Sequence, residues 1–388
     1  MSNPTRKPNI ATLCVHAGGQ QLPAEFGINT PVVTSTAFDY SRDDQVRYPR
    51  YMNTPNHRVV AARIAALEGA ESALVTASGM GAVSAVFLGL MRPGDHAILL
   101  DGLYGGTTDL VEGLLKPAGF EFSVWDGNPQ NLAGLVRETT RLAWVESPTN
   151  PLLRVIDLAA TAQELKRLGI VSVVDNTFAT PILQRPIELG FDLVMHSATK
   201  YFSGHSDLLS GALAGSESVL ARIRPQAIRL GSSLNGQDLY LLERSLKTLS
   251  IRVERQSANA TRLAVWLAGH RHIAGVFYPG LEQDPGHAIA QRQMNGFGAM
   301  LSFRLQPSVT VETFLGSLEM ISPAVSLAGV ESTLCQPSRT SHAKLSADAR
   351  AALGIDDHLI RFSVGIEGVD DLIADLDRAL AAAAGEGD

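Results

Sequence analysis

A chain of 388 residues, 45% hydrophobic and 18% charged, has enough material for two domains around sizeable cores. Its net charge of −7 excludes the basic footprint of a protein that grips nucleic acid or an acidic membrane. Two cysteines, Cys14 and Cys335, lie outside any CxxC or Cys/His cluster, so neither a disulfide framework nor a metal site is expected.

In chain order, the N-terminus MSNPTRKPNIATL carries basic residues without a following apolar run, so it does not read as a secretory signal. A cytoplasmic location is expected. Residues 1–57 are poor in regular pattern and rich in Pro, Asn and Thr, and read as an arm that packs on something, such as another subunit. Residues 73–91 are uncharged and long enough to cross a membrane, but 78-SGMG-81 breaks them. A buried strand, a glycine turn and a buried helix fit better.

Short apolar runs then end in polar or glycine-rich residues: 72-SALVTASGMG, 96-HAILLDGLYGG, 142-LAWVESPTNP, 171-VSVVDNTF and 191-FDLVMHSATK. Helical stretches intervene, such as 157-DLAATAQELKRLG with its capping Asp157. This alternation predicts an α/β domain with a mostly parallel sheet, whose ligands bind outside the carboxyl ends of the strands. The pattern changes after Gly231. Leu239, Leu242, Leu246, Leu249 and Val253 form an apolar stripe that predicts one long helix. Runs at 273–280, 298–305 and 359–368, with helices at 310–321 and 370–384, predict a smaller C-terminal α/β domain. The division expected is an arm over 1–57, a large domain over 58–250 and a small one over 251–388.

The chemistry lies at the polar ends of the runs. In 77-ASGMGA-82 a glycine pair between strand and helix exposes backbone amides suited to a phosphate. The chain lacks GxxxxGK[ST], and Ser84 stands where a dinucleotide fingerprint needs its third glycine. That leaves one phosphate of another cofactor, or a tight turn without ligand. Asp175, directly after a buried run, either caps the next helix or meets a cation. Lys200, in 196-HSATKYFSGHSD-207, is the only Lys or Arg between Arg185 and Arg222. A lysine kept from water has a lowered pKa and attacks carbonyl groups. Phosphate turn, acid, lysine and the hydroxyls of Ser197 and Thr199 are together the parts that pyridoxal phosphate needs.

Ser-x-Thr-Lys-Tyr-x-x-Gly-His-x-Asp is a specific signature. Further landmarks fall in order: 48-YPR-50, 78-SGMGA-82, 104-YGGT-107, 146-ESPTNP-151, 175-DNTF-178, 326-SLAGVES-332 and Arg361. From about residue 30 to 380 the chain resembles the Cys/Met-metabolism pyridoxal-phosphate enzymes. These include cystathionine γ-synthase, the cystathionine lyases, methionine γ-lyase and O-acylhomoserine sulfhydrylases. The resemblance implies the aspartate-aminotransferase-like fold (fold type I), pyridoxal 5'-phosphate as cofactor, and a homodimer as active unit that pairs into a homotetramer. It makes Lys200 the Schiff-base lysine that later moves protons, and Asp175 the partner of the ring nitrogen. The amides of Gly79 and Met80, with Ser197 and Thr199, would hold the phosphate, completed by Tyr48 and Arg50 of a neighbouring subunit. Tyr104 would stack on the cofactor ring and exchange protons with the substrate amine and the leaving group. Arg361 would take the substrate α-carboxylate, with Asn150 and the Ser326 backbone nearby and Glu146 shaping that wall. His205 and Asp207 are expected to shape their own loop. The order Asn53-Thr54-Pro55 departs from the commoner Gly-Asn-Pro-Thr of the family.

Three positions bear on the reaction. Cystathionine-processing members commonly carry an arginine where this chain has Asp109, which disfavours a distal carboxylate. Val325 before Ser326 resembles methionine γ-lyases, whereas Gly106 replaces the cysteine usual in them. The resemblance therefore implies γ-elimination from a small amino acid of methionine or homocysteine type, or one with a polar or cationic distal group such as canavanine. The products would be 2-oxobutanoate, or a related product, and ammonia. The alternatives are γ-replacement (O-acylhomoserine sulfhydrylase or cystathionine γ-synthase), a cystathionine lyase, and a non-catalytic cofactor-binding protein on the same fold.

Overall fold

The computed structural model describes residues 8–19, 27–42, 45–343 and 346–385. Seven strands make the larger sheet: β1 (Ser72–Thr76), β2 (His96–Leu100), β3 (Glu121–Trp125), β4 (Thr140–Glu146), β5 (Val171–Asp175), β6 (Leu193–His196) and β7 (Gly211–Gly215). Their order is β1-β7-β6-β5-β4-β2-β3. Strands β2 to β6 run parallel, and β7 is antiparallel to both of its neighbours, β1 and β6. The carboxyl ends of β1, β4, β5 and β6 therefore lie on one edge. That is where the sequence places the glycine turn, Glu146, Asp175 and Lys200. The uncharged stretch 73–91 divides into β1 and the helix Gly79–Leu90, and no helix among the described residues is long and apolar enough to cross a membrane.

Two strands of this larger sheet have no counterpart in the sequence pattern. In β3 only Trp125 is buried, so the strand shows no continuous apolar run. β7, Gly-Ala-Leu-Ala-Gly, is buried throughout but built of weak strand formers. Its small residues are required by close approach: a Cβ at Gly211 would come within 2.2 Å of the Ser78 carbonyl oxygen.

The smaller sheet has the order β10-β11-β12-β9-β8. Its strands are β8 (Ile273–Phe277), β9 (Met300–Leu305), β10 (Ser322–Pro323), β11 (Thr333–Cys335) and β12 (Leu359–Ser363). The apolar stripe from Leu239 to Val253 is not one helix but two, Gly236–Leu246 and Leu249–Ala268, separated by a tight turn at Lys247–Thr248. All five stripe residues are nevertheless buried in one core, which is why the spacing crosses the break unchanged. The division at 250/251 stays a proposal. It falls at the start of Leu249–Ala268, whose first half packs on the central core and whose second half packs under the smaller sheet.

In the described part of the arm, helix Ile10–His16 buries Cys14 and packs on helices Pro55–Glu68 and Leu249–Ala268. Residues beyond it carry exposed apolar side chains, among them Ile28, Tyr40 and Val46. Cys14 and Cys335 are both buried and free.

Candidate active site

The glycine turn after β1 opens helix Gly79–Leu90, whose first amides have no carbonyl of their own helix to bond. The Ser78 hydroxyl caps the helix by accepting the Gly81 N–H at 3.0 Å, which leaves the Gly79 and Met80 amides for a ligand. Ser197 comes from the next-but-one strand end. It lies so near that a Cβ on Gly79 would meet the Ser197 Cβ and Oγ at 3.0 Å. Glycine turn and serine hydroxyl thus form one anion cradle of the kind a phosphate needs. Thr199 is less free, because its hydroxyl donates to the Ser210 carbonyl at 3.1 Å.

Glu146 and Asp175 stand opposite each other at the ends of β4 and β5. Glu146 accepts the Tyr104 N–H at 2.9 Å and the Asn150 N–H at 3.0 Å, tying together the two loops that carry those residues. Asp175 accepts the Thr177 N–H at 3.0 Å and the Thr177 hydroxyl, both on Oδ1. Among the described residues, its Oδ2 has no such partner. Burial, and then the Asp175 charge, push the Glu146 carboxyl above its usual range, and burial raises Asp175 as well. Two raised carboxylates favour a cation beside them. A protonated ring nitrogen is such a cation, so the residues present fit pyridoxal phosphate at both of its ends.

Lys200 lies between these parts and the smaller domain. Its Nζ is 2.6 Å from the Ser326 Oγ. Burial, and then the Arg361 guanidinium, push its ammonium down to about 8. Arg361, on β12 and 5% exposed, donates from one amino group to Asn150 Oδ1 at 3.1 Å and from the other to the Ser326 carbonyl at 2.9 Å. Among the described residues its buried Nε has no partner, a donor left for an incoming carboxylate.

Tyr104 is the N-cap of the short helix Gly105–Leu110 and is 45% exposed. Gly106 makes room for its ring: a Cβ there would stand 2.4 Å from the Tyr104 Cε1 and 3.2 Å from the Met80 sulfur. Asp109 lies exposed inside the same helix. Val325 is 70% exposed. Tyr48 and Arg50 are also exposed; the Arg50 guanidinium lies 6.0 Å from the Tyr48 ring centre and 5.3 Å from that of Tyr51. In the signature loop, His205 bonds the Ser203 carbonyl through Nδ1, and Asp207 accepts the Ser203 hydroxyl.

Sequence reasoning missed four residues here. Thr177 joins two strand ends, since its hydroxyl accepts the Ser197 N–H at 2.8 Å while donating to Asp175. Its place two residues after an aspartate is a recognised local pattern and was the available signal. His342 is buried, and burial followed by the Arg361 charge pushes it down to about 4. His196 and Glu68 form a buried pair next to the signature.

The sequence profile of the Cys/Met metabolism PLP-dependent enzymes matches residues 11–381. Among curated relatives, a cystathionine beta-lyase of Coxiella burnetii is 40% identical, over 98% of this chain and 100% of that one. An L-methionine gamma-lyase of Pseudomonas putida is 37% identical, over 99% and 100%. Among solved structures, the cystathionine gamma synthase of Xanthomonas oryzae pv. oryzae, in complex with aminoacrylate and cysteine, superposes with a TM-score of 0.93. It is 37% identical, over 98% of this chain and 100% of that one. The fold is therefore type I, pyridoxal 5'-phosphate is the cofactor, and the chain belongs to the Cys/Met metabolism PLP-dependent enzymes.

Proposed function

We propose that this enzyme is a carbon–heteroatom lyase that eliminates the γ-substituent of an L-amino acid of methionine or homocysteine type. The observation that carries the reading is Lys200: an amine of lowered pKa, 2.6 Å from Ser326 and next to the carboxylate fork of Arg361. Bound pyridoxal phosphate supplies an electron sink conjugated with the substrate Cα. Arg361 and Asn150 hold the α-carboxylate, which brings Cα to Lys200. Lys200 takes the Cα proton and moves protons on toward Cβ. The Tyr104 hydroxyl takes a proton from the entering amine and returns one to the departing group. The Cγ–heteroatom bond breaks, the substituent leaves with a proton, and water replaces the amino nitrogen. The products are 2-oxobutanoate, or a related ketoacid, and ammonia. The active unit is a homodimer, pairing into a tetramer, in which Tyr48 and Arg50 complete the neighbour's phosphate site; their exposure in one protomer supports this.

Asp109 supports a cationic or neutral polar distal group, such as the guanidinooxy group of canavanine, since an anion near the site repels a distal carboxylate. Asp109→Ala raises KM for that substrate and leaves methionine turnover nearly unchanged; equal losses on both would sink this assignment. A second reading, a cystathionine lyase, is favoured by the 40% identical relative of that name. A ketoacid-release screen over methionine, homocysteine, cystathionine, O-acylhomoserines, cysteine and canavanine, with and without added thiol, separates the readings. 2-Oxobutanoate from methionine or homocysteine without thiol supports the proposal. Pyruvate from cystathionine alone replaces it with the second reading. Turnover that needs an added thiol makes the enzyme a γ-replacement catalyst.

A further inference from the structure

Helix Leu249–Ala268, which joins the two cores, buries three polar side chains at spacings of four and three: Arg252, Gln256 and Asn259. They therefore share one face of the helix. Each donates to the backbone of a segment next to the active site. Arg252 gives an amino N–H to the Tyr201 carbonyl at 2.8 Å. Gln256 gives its amide to the Gly329 carbonyl at 2.8 Å and to the Val364 carbonyl at 3.1 Å. Asn259 gives its amide to the carbonyls of Gly365 at 3.0 Å and Glu367 at 2.9 Å. Tyr201 follows Lys200, Gly329 lies three residues after Ser326, and Val364 lies three after Arg361.

Arg252 is buried, and burial pushes its guanidinium down to about 10. A buried charge is costly unless it is fully hydrogen-bonded. Its other two nitrogens bond the Ser245 carbonyl at 3.0 Å and the Thr248 hydroxyl at 3.2 Å, at the turn before its own helix. The planar fork is thus fixed at its base and offers its third nitrogen to the loop of Lys200. That loop is shaped to receive it. Gly204 has a φ of 69°, and a Cβ there would collide with the Arg252 amino group. The Gly204 N–H bonds the Lys200 carbonyl at 2.7 Å, and its carbonyl accepts the Val330 N–H at 3.0 Å, which ties the lysine loop to the loop of Ser326.

We propose that Arg252 and Gln256 are positioning residues, through which one helix face sets where Lys200 stands relative to Ser326 and Arg361. Both act through backbone carbonyls. Arg252 fixes the loop of the lysine. Gln256 fixes the loop of Ser326 and the end of β12, the strand that bears Arg361. The assignment rests on the roles proposed above for Lys200 and Arg361.

The test compares Arg252→Lys, Arg252→Gln and Gln256→Leu with the parent, and Lys200→Ala as control. Both Arg252 variants keep a donor toward Tyr201, and the one with the higher Tm is used. Gln256→Leu also removes a buried amide oxygen that has no partner among the described residues, which favours folding. The first readout is the rate at which cofactor-free enzyme captures pyridoxal phosphate. The second uses L-alanine, which has the α-carboxylate and no leaving group. Rapid-mixing absorbance of the holoenzyme gives its limiting exchange rate and its apparent Kd separately. The Arg252 variant should lose about tenfold in capture and in limiting rate, with an apparent Kd within about twofold of the parent's. Gln256→Leu should raise the apparent Kd about tenfold and leave capture within about twofold. An Arg252 variant with parental rates overturns the proposal. So do variants that lose Tm and shift both parameters together, which would leave the helix face purely structural. A Lys200→Ala enzyme that takes up cofactor and exchanges L-alanine like the parent instead removes the role of Lys200, and this proposal with it.

Discussion

At the scale of single residues, the most direct consequence concerns Lys200. Burial and Arg361 bring its ammonium down to about 8. Only the neutral amine attacks an aldehyde, so uptake of pyridoxal phosphate by cofactor-free enzyme should rise with pH and level off above about 8. An ordinary lysine would keep gaining up to about 10.4. Mixing apo-enzyme with cofactor across this range, followed by absorbance, reads the midpoint directly. Lys200, Asp175 and Gly79 stood out because each belongs to a contiguous run of unusual residues, whereas Arg361 was singled out by the family resemblance alone. Thr177, His196 and Glu68 did not stand out. Their meaning comes from partners on other elements: Glu68 meets His196 across 128 positions of sequence. No local pattern carries such a pairing.

Elements tell a similar story. Strands with continuous apolar runs were legible, whereas β3 at the sheet edge and β7 built of small residues were not, because neighbours rather than propensity define them. The C-terminal helix Val369–Ala383 shows how one side chain can fix an element's place. Asp375 accepts the N–H groups of Glu319, Met320 and Ile321 and pairs with Arg378. Burial alone would raise its pKa, but these bonds outweigh it and the carboxyl lies below its usual value. Its contribution is therefore present above the unfolded-state pKa of about 3.9 and is lost as pH falls through the lower folded value. Asp375→Ala strips three backbone donors of their acceptor. Thermal melts at neutral pH should show a loss of about 2–4 kcal/mol, and the gap between variant and parent should close in acid.

For the molecule as a whole, the two-sheet architecture was legible from the change of pattern after Gly231, although the helix joining the two cores hid where one ends. The exposed side chains of Ile28, Tyr40, Val46 and Tyr48 on the arm suit a partner surface more than water. If Arg50 serves the neighbouring site, Lys200→Ala and Arg50→Ala enzymes, each impaired alone, should complement when dissociated and reassociated together. Half of the dimers would be mixed, each with one intact site, so about a quarter of parental activity should return. No recovery would place Arg50 in its own subunit's site. One residue joins the two sheets at the reaction centre. Ser326 holds Lys200 through its hydroxyl and Arg361 through its carbonyl, in a left-handed backbone conformation with φ 76°. A carboxylate drawn onto Arg361 thus pulls on the residue that restrains the lysine. Docking of the acid end is therefore expected to be felt at the lysine. A γ-substituted amine without a carboxylate should therefore exchange onto the cofactor slowly even at saturation, which rapid-mixing absorbance would show as a lowered limiting rate rather than weaker binding alone.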